Sequence, residues 1–136
     1  MSNPSSLSDK IAPNGEMLLR TLAMPADTNA NGDIFGGWIM SQLDLAGGIL
    51  AKEISKGRIA TVSVSTITFK RPVSVGDIVC CHGKCSRIGN SSMSIELQVW
   101  NKKVLGDRAG ERELVCEATF HYVAIDENGR PRQIQK

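Results

Sequence analysis

One residue, Asp44, combines a reactive side chain with an unusual position, because it lies in the middle of an apolar stretch. Burying a carboxylate is costly unless hydrogen-bond donors or water satisfy it, so the position predicts a polar cleft or a partner group. On a helix its neighbours are Ser41, Gly47 and Gly48, which leave space for a ligand or another backbone. A carboxylate in such a cleft can act as a general base or as a nucleophile. The alternative is an Asp on the solvated side of the helix, and the pattern alone leaves both open.

A second chemical feature is the loop TNANGDIFGG, which contains Asn29 and ends in Gly36 and Gly37. A helix start exposes N–H donors, and glycines without a Cβ let a polarised oxygen approach them closely. The alternative is an ordinary turn and cap. From Gly36 to Asp44 the helix rises about 12 Å. One reacting carbonyl therefore reaches both groups only if one of them comes from a second chain or the helix start bends inward.

Hydroxyl groups and one cation form a third feature, at a later turn that could hold a phosphate. Its candidate residues are Arg87, Gly89, Asn90, Ser91 and Ser92. The alternative is that IGNS is simply favourable hairpin chemistry. An earlier segment is also rich in hydroxyls, among them Thr61 and Ser63.

A long helix positions the carboxylate. Apolar residues recur at spacings of three and four, which predicts a helix from about Gly37 to Ser55. Lys56 and Gly57 supply a cationic last turn and a glycine stop. The apolar positions are Ile39, Met40, Leu43, Ala46, Ile49, Leu50 and Ile54.

Around this helix the pattern predicts strands. Met17 to Met24 reads as a short strand, and IATVSVSTITF, IVCCHGKCSRI, SSMSIELQVW and ELVCEATFHYV follow the helix. The apolar phase shifts between Val64 and Ile67, which indicates a bulge. Short connections predict that consecutive strands pair as antiparallel neighbours, giving an α+β fold with a sheet wrapped around one helix. One helix cannot cover both sheet faces and edges, so we expect self-association.

The length, the net charge and the distribution of apolar residues exclude several classes of protein. A chain of 136 residues has the length of one ordinary domain. A formal net charge of +2, with charges interspersed, argues against nucleic acid as a partner. No window reaches the roughly 18 apolar residues of a membrane span, and the first residues lack the pattern of a signal peptide. We therefore expect a cytoplasmic protein without membrane insertion.

The four cysteines do not have the spacing of a metal site. Cys80 and Cys81 are adjacent and would point to opposite faces of a strand. His82 and His121 lack the paired spacing of zinc ligands. We expect no metal and no disulfide, with the thiols as small core residues.

The strings RTLAMPADTNANGDIFGGWIMSQLDLAGGILAKE, TFKRPVSVGDIVCC and IGNSS occur in this order between about residues 20 and 123. In combination, the loop Asn, the double glycine and the helix Asp resemble the short bacterial acyl-coenzyme A thioesterases of the YciA type. The resemblance implies hydrolysis of acyl-coenzyme A to coenzyme A and a carboxylic acid. It also implies the hot-dog fold, an α+β fold in which a five-stranded antiparallel sheet wraps one long helix. On this basis we expect an N-terminal arm at 1–14, the thioesterase domain at 15–126 and a C-terminal tail at 127–136.

The same resemblance implies roles for individual residues. It places the working carboxylate at Asp44, the loop asparagine at Asn29 and the oxyanion-binding amide at Gly36, with Gly37 beside it. Phosphate and pantetheine contacts are implied at Thr61, Ser63, Arg87, Gly89, Asn90, Ser91 and Ser92. Coenzyme A is part of the substrate and product, so no separate cofactor is implied. Related proteins form dimers, commonly assembled as a trimer of dimers, with the loop and the acidic helix of one site on different subunits.

Two other functions use the same fold. A hot-dog hydratase or dehydratase needs a loop histidine as well as a helix carboxylate, but no histidine precedes this helix and Phe35 stands before Gly36. A non-catalytic acyl-coenzyme A sensor would bind more weakly with a carboxylate beside the acyl chain, so Asp44 argues against it.

Overall fold

The structure, a computed structural model, describes residues 12–104 and 106–135. Most of the predicted N-terminal arm, residues 1–11, lies outside this range. The described chain forms one long helix, five strands and a short 3₁₀ turn at Pro25–Asp27. The elements are β1 (Glu16–Leu22), α1 (Gly36–Ser55), β2 (Ile59–Phe69), β3 (Ile78–Ile88), β4 (Ser92–Lys102) and β5 (Arg112–Ala124). The predicted helix and all predicted strands are confirmed, with α1 beginning one residue earlier than expected.

The strands form one antiparallel sheet in the order β1-β3-β4-β5-β2. The prediction that consecutive strands pair is right for β3, β4 and β5 but wrong for β2, which pairs with β5. The segment 70–77 after β2 is not a hairpin. Lys70 first bonds to the Val115 carbonyl of β5, and Val73 is then buried in the core. The chain thereby passes β5 and β4 to reach β3. Burial of the apolar side chain of Val73 stabilises this path more than a local hairpin turn would.

The core lies between α1 and one face of the sheet. Met93, Ile95, Leu97 and Val99 alternate along β4 and are all buried, as the sequence pattern predicts. On α1 the buried side is narrower than the predicted apolar face. Met40 and Ile49 belong to that face but are exposed. A single sheet covers only one side of the helix, so these side chains remain uncovered in one chain.

Strand β2 is irregular at two points. The register with β5 shifts between Ser65 and Thr68, where Thr66 has a φ of 53°. This confirms the predicted irregularity between Val64 and Ile67. A second shift lies between Thr61 and Ser63, and a bulge of this kind reverses which face the following side chains occupy.

The end of α1 is held by the C-terminal segment. Lys56, rather than Gly57, adopts the left-handed conformation that ends the helix. Gly57 serves a different purpose, because a Cβ there would lie 2.6 Å from the guanidinium of Arg132. Arg132 donates to the Ser55 carbonyl at 3.0 Å, and Ile134 is buried in the core. Residues 127–135, within the predicted C-terminal tail, thus contact both the helix and the sheet.

One edge of the sheet is apolar and open. β2 has a neighbour on one side only, and Val62, Val64 and Phe69 on this strand are exposed. Leu45 on α1 is exposed as well. Among the described helices, none has the length and apolar character needed to cross a membrane.

Candidate active site

Asp44 lies on α1 where the helix passes the open end of β2, and its side chain is half-buried. The hydroxyl of Thr61 on β2 donates a hydrogen bond to Asp44 Oδ1 at 2.7 Å. The hydroxyl of Tyr122 on β5 donates to the same oxygen at 3.1 Å. No described residue donates to Oδ2. The carboxylate is therefore fixed through one oxygen and open through the other.

Tyr122 was not among the residues selected from the sequence. It is fully buried, and its ring stacks on Phe120 at a centroid distance of 6.3 Å. Its hydroxyl also approaches the backbone carbonyl of Asp44 at 3.0 Å. Burial, followed by the negative charge of Asp44, raises the pKa of the phenol well above its ordinary value. Tyr122 therefore keeps its proton and acts towards Asp44 as a hydrogen-bond donor.

Gly47 makes room for this contact. A Cβ on Gly47 would lie 2.3 Å from the Tyr122 hydroxyl and 3.0 Å from a methyl group of Leu97. The sequence predicted that Gly47 and Gly48 leave space for a ligand or another backbone. The structure fills the space at Gly47 with the tyrosine side chain instead. Gly48 is less crowded, since a Cβ there would meet Ile59 at 3.7 Å.

The side chains of Thr61 and Ser63 lie on opposite faces of the sheet. Thr61 lies opposite Tyr122 and faces the helix, whereas Ser63 lies opposite His121 on the other face of the sheet. The bulge between them causes this difference. On that other face, His121 contacts the hydroxyls of Ser65 at 3.0 Å and Ser94 at 2.9 Å. In one chain the structure brings Thr61, but not Ser63, to Asp44.

Gly36 and Gly37 form the first turn of α1, and both are exposed. The N-cap residue is Phe35, whose side chain makes no capping hydrogen bond. Neither glycine N–H donates to an acceptor among the described residues, whereas the N–H groups of Trp38 and Ile39 bond to the Phe35 carbonyl. Two free donors thus point out of the positive end of a helix, an arrangement that suits an oxyanion.

Asn29 stabilises the loop before the helix. Its side-chain oxygen accepts the N–H groups of Asn31 at 2.8 Å and Asp33 at 3.2 Å. Its own N–H donates to the Asp33 carbonyl at 2.7 Å. This is typical of an Asx turn, in which the carbonyl end of the side chain holds the backbone. The amide nitrogen of the Asn29 side chain makes no hydrogen bond within the described chain, so it is the end available to a ligand.

The predicted phosphate turn joins β3 to β4. The Gly89 N–H donates to the Ser92 carbonyl at 2.7 Å, which closes the turn. The Asn90 carbonyl accepts the N–H of Ile134 in the C-terminal segment, and the Ser91 carbonyl accepts the N–H of Ala124 at the end of β5. A cavity of about 410 Å³ lies beside the turn, lined by Asn90, Gln133, Ile134 and Gln135. Arg87 is exposed, and its guanidinium has no acceptor in the described residues.

The turn lies at the same end of the sheet as Asp44. Ser92 pairs with Val123 of β5, the residue next to Tyr122. The structure therefore joins Asp44 to Thr61 and places the turn at the same end of the sheet, with β5 between them. It leaves the helix start about two turns away along α1, a rise of about 12 Å.

Two of the four thiols, Cys81 and Cys116, belong to the core as predicted, whereas Cys80 and Cys85 are only half-buried. Cys81 and Cys116 are buried, and burial raises their pKa values to about 12 and about 11. Both stay protonated at neutral pH and are poor nucleophiles. Within residues 12–104 and 106–135, no three His, Cys, Asp or Glu side chains are grouped as metal ligands.

A half-buried carboxylate with one fixed and one open oxygen can accept a proton from water or attack an electrophilic carbon. Free N–H donors at a helix start can stabilise the negative charge that develops on a carbonyl oxygen. Tyr122 supplies the second hydrogen bond to the carboxylate. Its signal in the sequence is the strand FHYV, where alternation places a tyrosine on the apolar face and its hydroxyl must find a buried partner.

Comparison with known proteins gives consistent matches. The family model described as the thioesterase superfamily matches residues 31–106. The acyl-CoA thioester hydrolase YciA of Salmonella typhimurium is 59% identical over 122 residues, which cover 90% of this chain and 92% of that protein.

Two solved structures extend the comparison to the fold. One is an aspartate-to-alanine mutant of a hexameric broad specificity acyl-coenzyme A thioesterase. It is 58% identical, with a TM-score of 0.89, and the match covers 90% of this chain and 88% of that one. The other is a hexameric hotdog fold thioesterase of Campylobacter jejuni, 42% identical, with a TM-score of 0.85 and coverage of 89% and 91%.

These matches confirm the hot-dog fold and the expected family. The family model covers more than half of the chain, and the curated relative is covered almost from end to end. The helix with its carboxylate lies inside the matched region. The chain belongs to the thioesterase superfamily and, within it, to the YciA acyl-CoA thioester hydrolases.

Proposed function

We propose that this chain hydrolyses acyl-coenzyme A thioesters to coenzyme A and a carboxylic acid, with Asp44 as its working carboxylate. The observation that carries the proposal is the setting of Asp44. Oδ1 accepts hydrogen bonds from Thr61 and Tyr122, and Oδ2 is left open among the described residues. This setting occurs in a chain whose relatives are named acyl-CoA thioester hydrolases.

In the proposed reaction the thioester carbonyl oxygen accepts hydrogen bonds from the free N–H groups of Gly36 and Gly37. Asp44 takes a proton from a water molecule whose oxygen attacks the carbonyl carbon. The C–S bond then breaks and the thiolate leaves with a proton. Alternatively, Asp44 attacks the carbon directly, the C–S bond breaks as the thiolate leaves, and water opens the resulting anhydride and supplies the proton that the thiolate takes up. In either route we assign to Asn29 the role of orienting the water or the carbonyl.

The distance along α1 requires that one site uses two subunits. Gly36 and Asp44 of the same helix are about 12 Å apart, which is too far for one carbonyl. Pairing of two chains would bring the helix start of one to the carboxylate of the other. The exposed apolar edge formed by Val62, Val64 and Phe69 favours this association. We propose a dimer that assembles further as a trimer of dimers, in line with the hexameric relatives.

The coenzyme A part of the substrate would lie along β2 and against the turn from Arg87 to Ser92. Arg87 supplies an exposed cation that has no acidic partner among the described residues, and the side chain of Ser92 lies beside Gly89. Thr61 and Ser63 are placed on opposite faces of β2, so in this proposal Thr61 faces the reacting end and Ser63 contacts a part of the substrate outside the core. We place the catalytic domain at 15–126, and coenzyme A enters only as part of the substrate.

The test is release of free thiol from acetyl-, butyryl- and long-chain acyl-coenzyme A. Asp44→Asn keeps the shape of the side chain but cannot act as a base, so we expect a fall in kcat of about 100-fold or more. Glu53→Gln is the matched control, because Glu53 is an exposed carboxylate on the same helix. It should retain normal turnover. A folded Asp44→Asn variant that keeps near-normal rates would reject the proposal.

A further inference from the structure

Packing of the ring alone does not explain why residue 122 carries a hydroxyl group. Its ring is fully buried and already has an aromatic neighbour in Phe120, so phenylalanine would fill the same space. The hydroxyl instead lies between the carboxylate and the backbone carbonyl of Asp44, at 3.1 Å and 3.0 Å. Gly47 leaves no Cβ in its way. Helix α1 therefore carries a glycine at the position where a tyrosine hydroxyl must fit.

This arrangement fixes which oxygen of Asp44 reacts. Thr61 and Tyr122 come from two different strands, and both donate to Oδ1. An oxygen that already accepts two hydrogen bonds is a poorer base and nucleophile than its neighbour. Tyr122 also lies inside the core. The oxygen with no donor is therefore the one left for the substrate.

We infer that Tyr122 is a positioning residue for the proposed thioester hydrolysis, holding Asp44 through Oδ1 so that Oδ2 faces the substrate. The inference rests on the proposed function, since it assigns a role only if Asp44 is the working carboxylate. Tyr122 itself does not exchange a proton, because it remains a phenol at working pH. Its contribution is to hold the carboxylate in one rotamer while the substrate occupies the cleft.

The test is Tyr122→Phe, which removes the hydroxyl and keeps the ring. Loss of a hydrogen bond to a charged group predicts a fall in kcat of roughly tenfold, with KM changed by less than about twofold. An unchanged KM beside a reduced kcat would separate lost positioning of the carboxylate from lost substrate binding. The control is Ser94→Ala, which removes a hydroxyl contact to His121 on the opposite face of the sheet. It should leave both kcat and KM unchanged.

The outcomes separate this inference from the proposed function. If Asp44→Asn is inactive while Tyr122→Phe has a normal kcat, Tyr122 is only a core residue and the inference is overturned. If Asp44→Asn is active, the proposed function itself fails. Should Tyr122→Phe not fold, Gly47→Ala supplies the second variant, because its Cβ displaces the same hydroxyl. A folded Gly47→Ala enzyme with a normal kcat would equally overturn the inference.

Discussion

Two adjacent glycines on α1 should respond to alanine in opposite directions. Glycine in a helix interior is about 1 kcal/mol less favourable than alanine, so each substitution gains this amount from helix propensity. At Gly48 the new methyl group would meet Ile59 at 3.7 Å, an ordinary contact. Gly48→Ala should therefore raise the free energy of unfolding by about 0.5–1 kcal/mol.

At Gly47 the same methyl group has no room. It would lie 2.3 Å from the Tyr122 hydroxyl and 3.0 Å from a methyl group of Leu97. Overpacking costs about 1–3 kcal/mol, and a buried hydroxyl that loses its acceptor costs about 1–3 kcal/mol more. After the propensity gain of about 1 kcal/mol is subtracted, Gly47→Ala should lower the free energy of unfolding by roughly 1–5 kcal/mol.

The assay is urea unfolding followed by circular dichroism, with all proteins at one fixed concentration because the stability of an oligomer depends on it. The wild type should unfold at a midpoint between those of the two variants. A result in which both variants are stabilised, or both are destabilised equally, would refute the reasoning. It would mean that Tyr122 does not occupy the space beside Gly47 in solution.

Three further predictions concern other parts of the chain. Asp77→Ala removes a buried acceptor of Lys103 and should lower the free energy of unfolding by about 3 kcal/mol in a urea titration; a loss under about 1 kcal/mol would contradict this. Val62→Asp should shift the sedimentation coefficient to that of a smaller species and reduce turnover with it, whereas an unchanged, active assembly would exclude this edge as an interface. At pH 8 iodoacetamide should label Cys81 only after unfolding, since its pKa is raised to about 12 in the fold; rapid labelling of the native protein would contradict its burial. The same raised pKa contributes stability that is complete below pH 9, the value for the free thiol, and is lost as pH rises through 12.

The elements of the fold could be predicted because their signals are local. The periodicity of α1 and the alternation of β4 each lie within one short segment, and both agree with the structure. The phase shift between Val64 and Ile67 even located the bulge around Thr66. The sheet order could not be read in the same way. Pairing of β2 with β5 depends on long-range burial of Val73, and no local pattern records it.

The candidate site was also predictable from local signals but not in its long-range contacts. Asp44 stood out because a carboxylate in an apolar run needs a physical reason. The Tyr122 contact spans 78 positions in the sequence, so it emerged only from the register of β5. Ser63 was grouped with Thr61 because alternate residues of a regular strand share a face. The bulge between them breaks that rule, and only the structure reveals it.

The topology also sets an order of events during synthesis. Among the described strands β2 pairs with β5, which follows it in the chain by about 40 residues, and the cap on α1 comes later still from Arg132. A nascent chain can form β3 and β4 as a hairpin, but Thr61 must wait for β5 and the end of the helix for Arg132. We therefore expect that a chain released before β5 is complete cannot assemble the carboxylate site. Such a truncated product would expose an unpaired strand and be a substrate for chaperones or proteases.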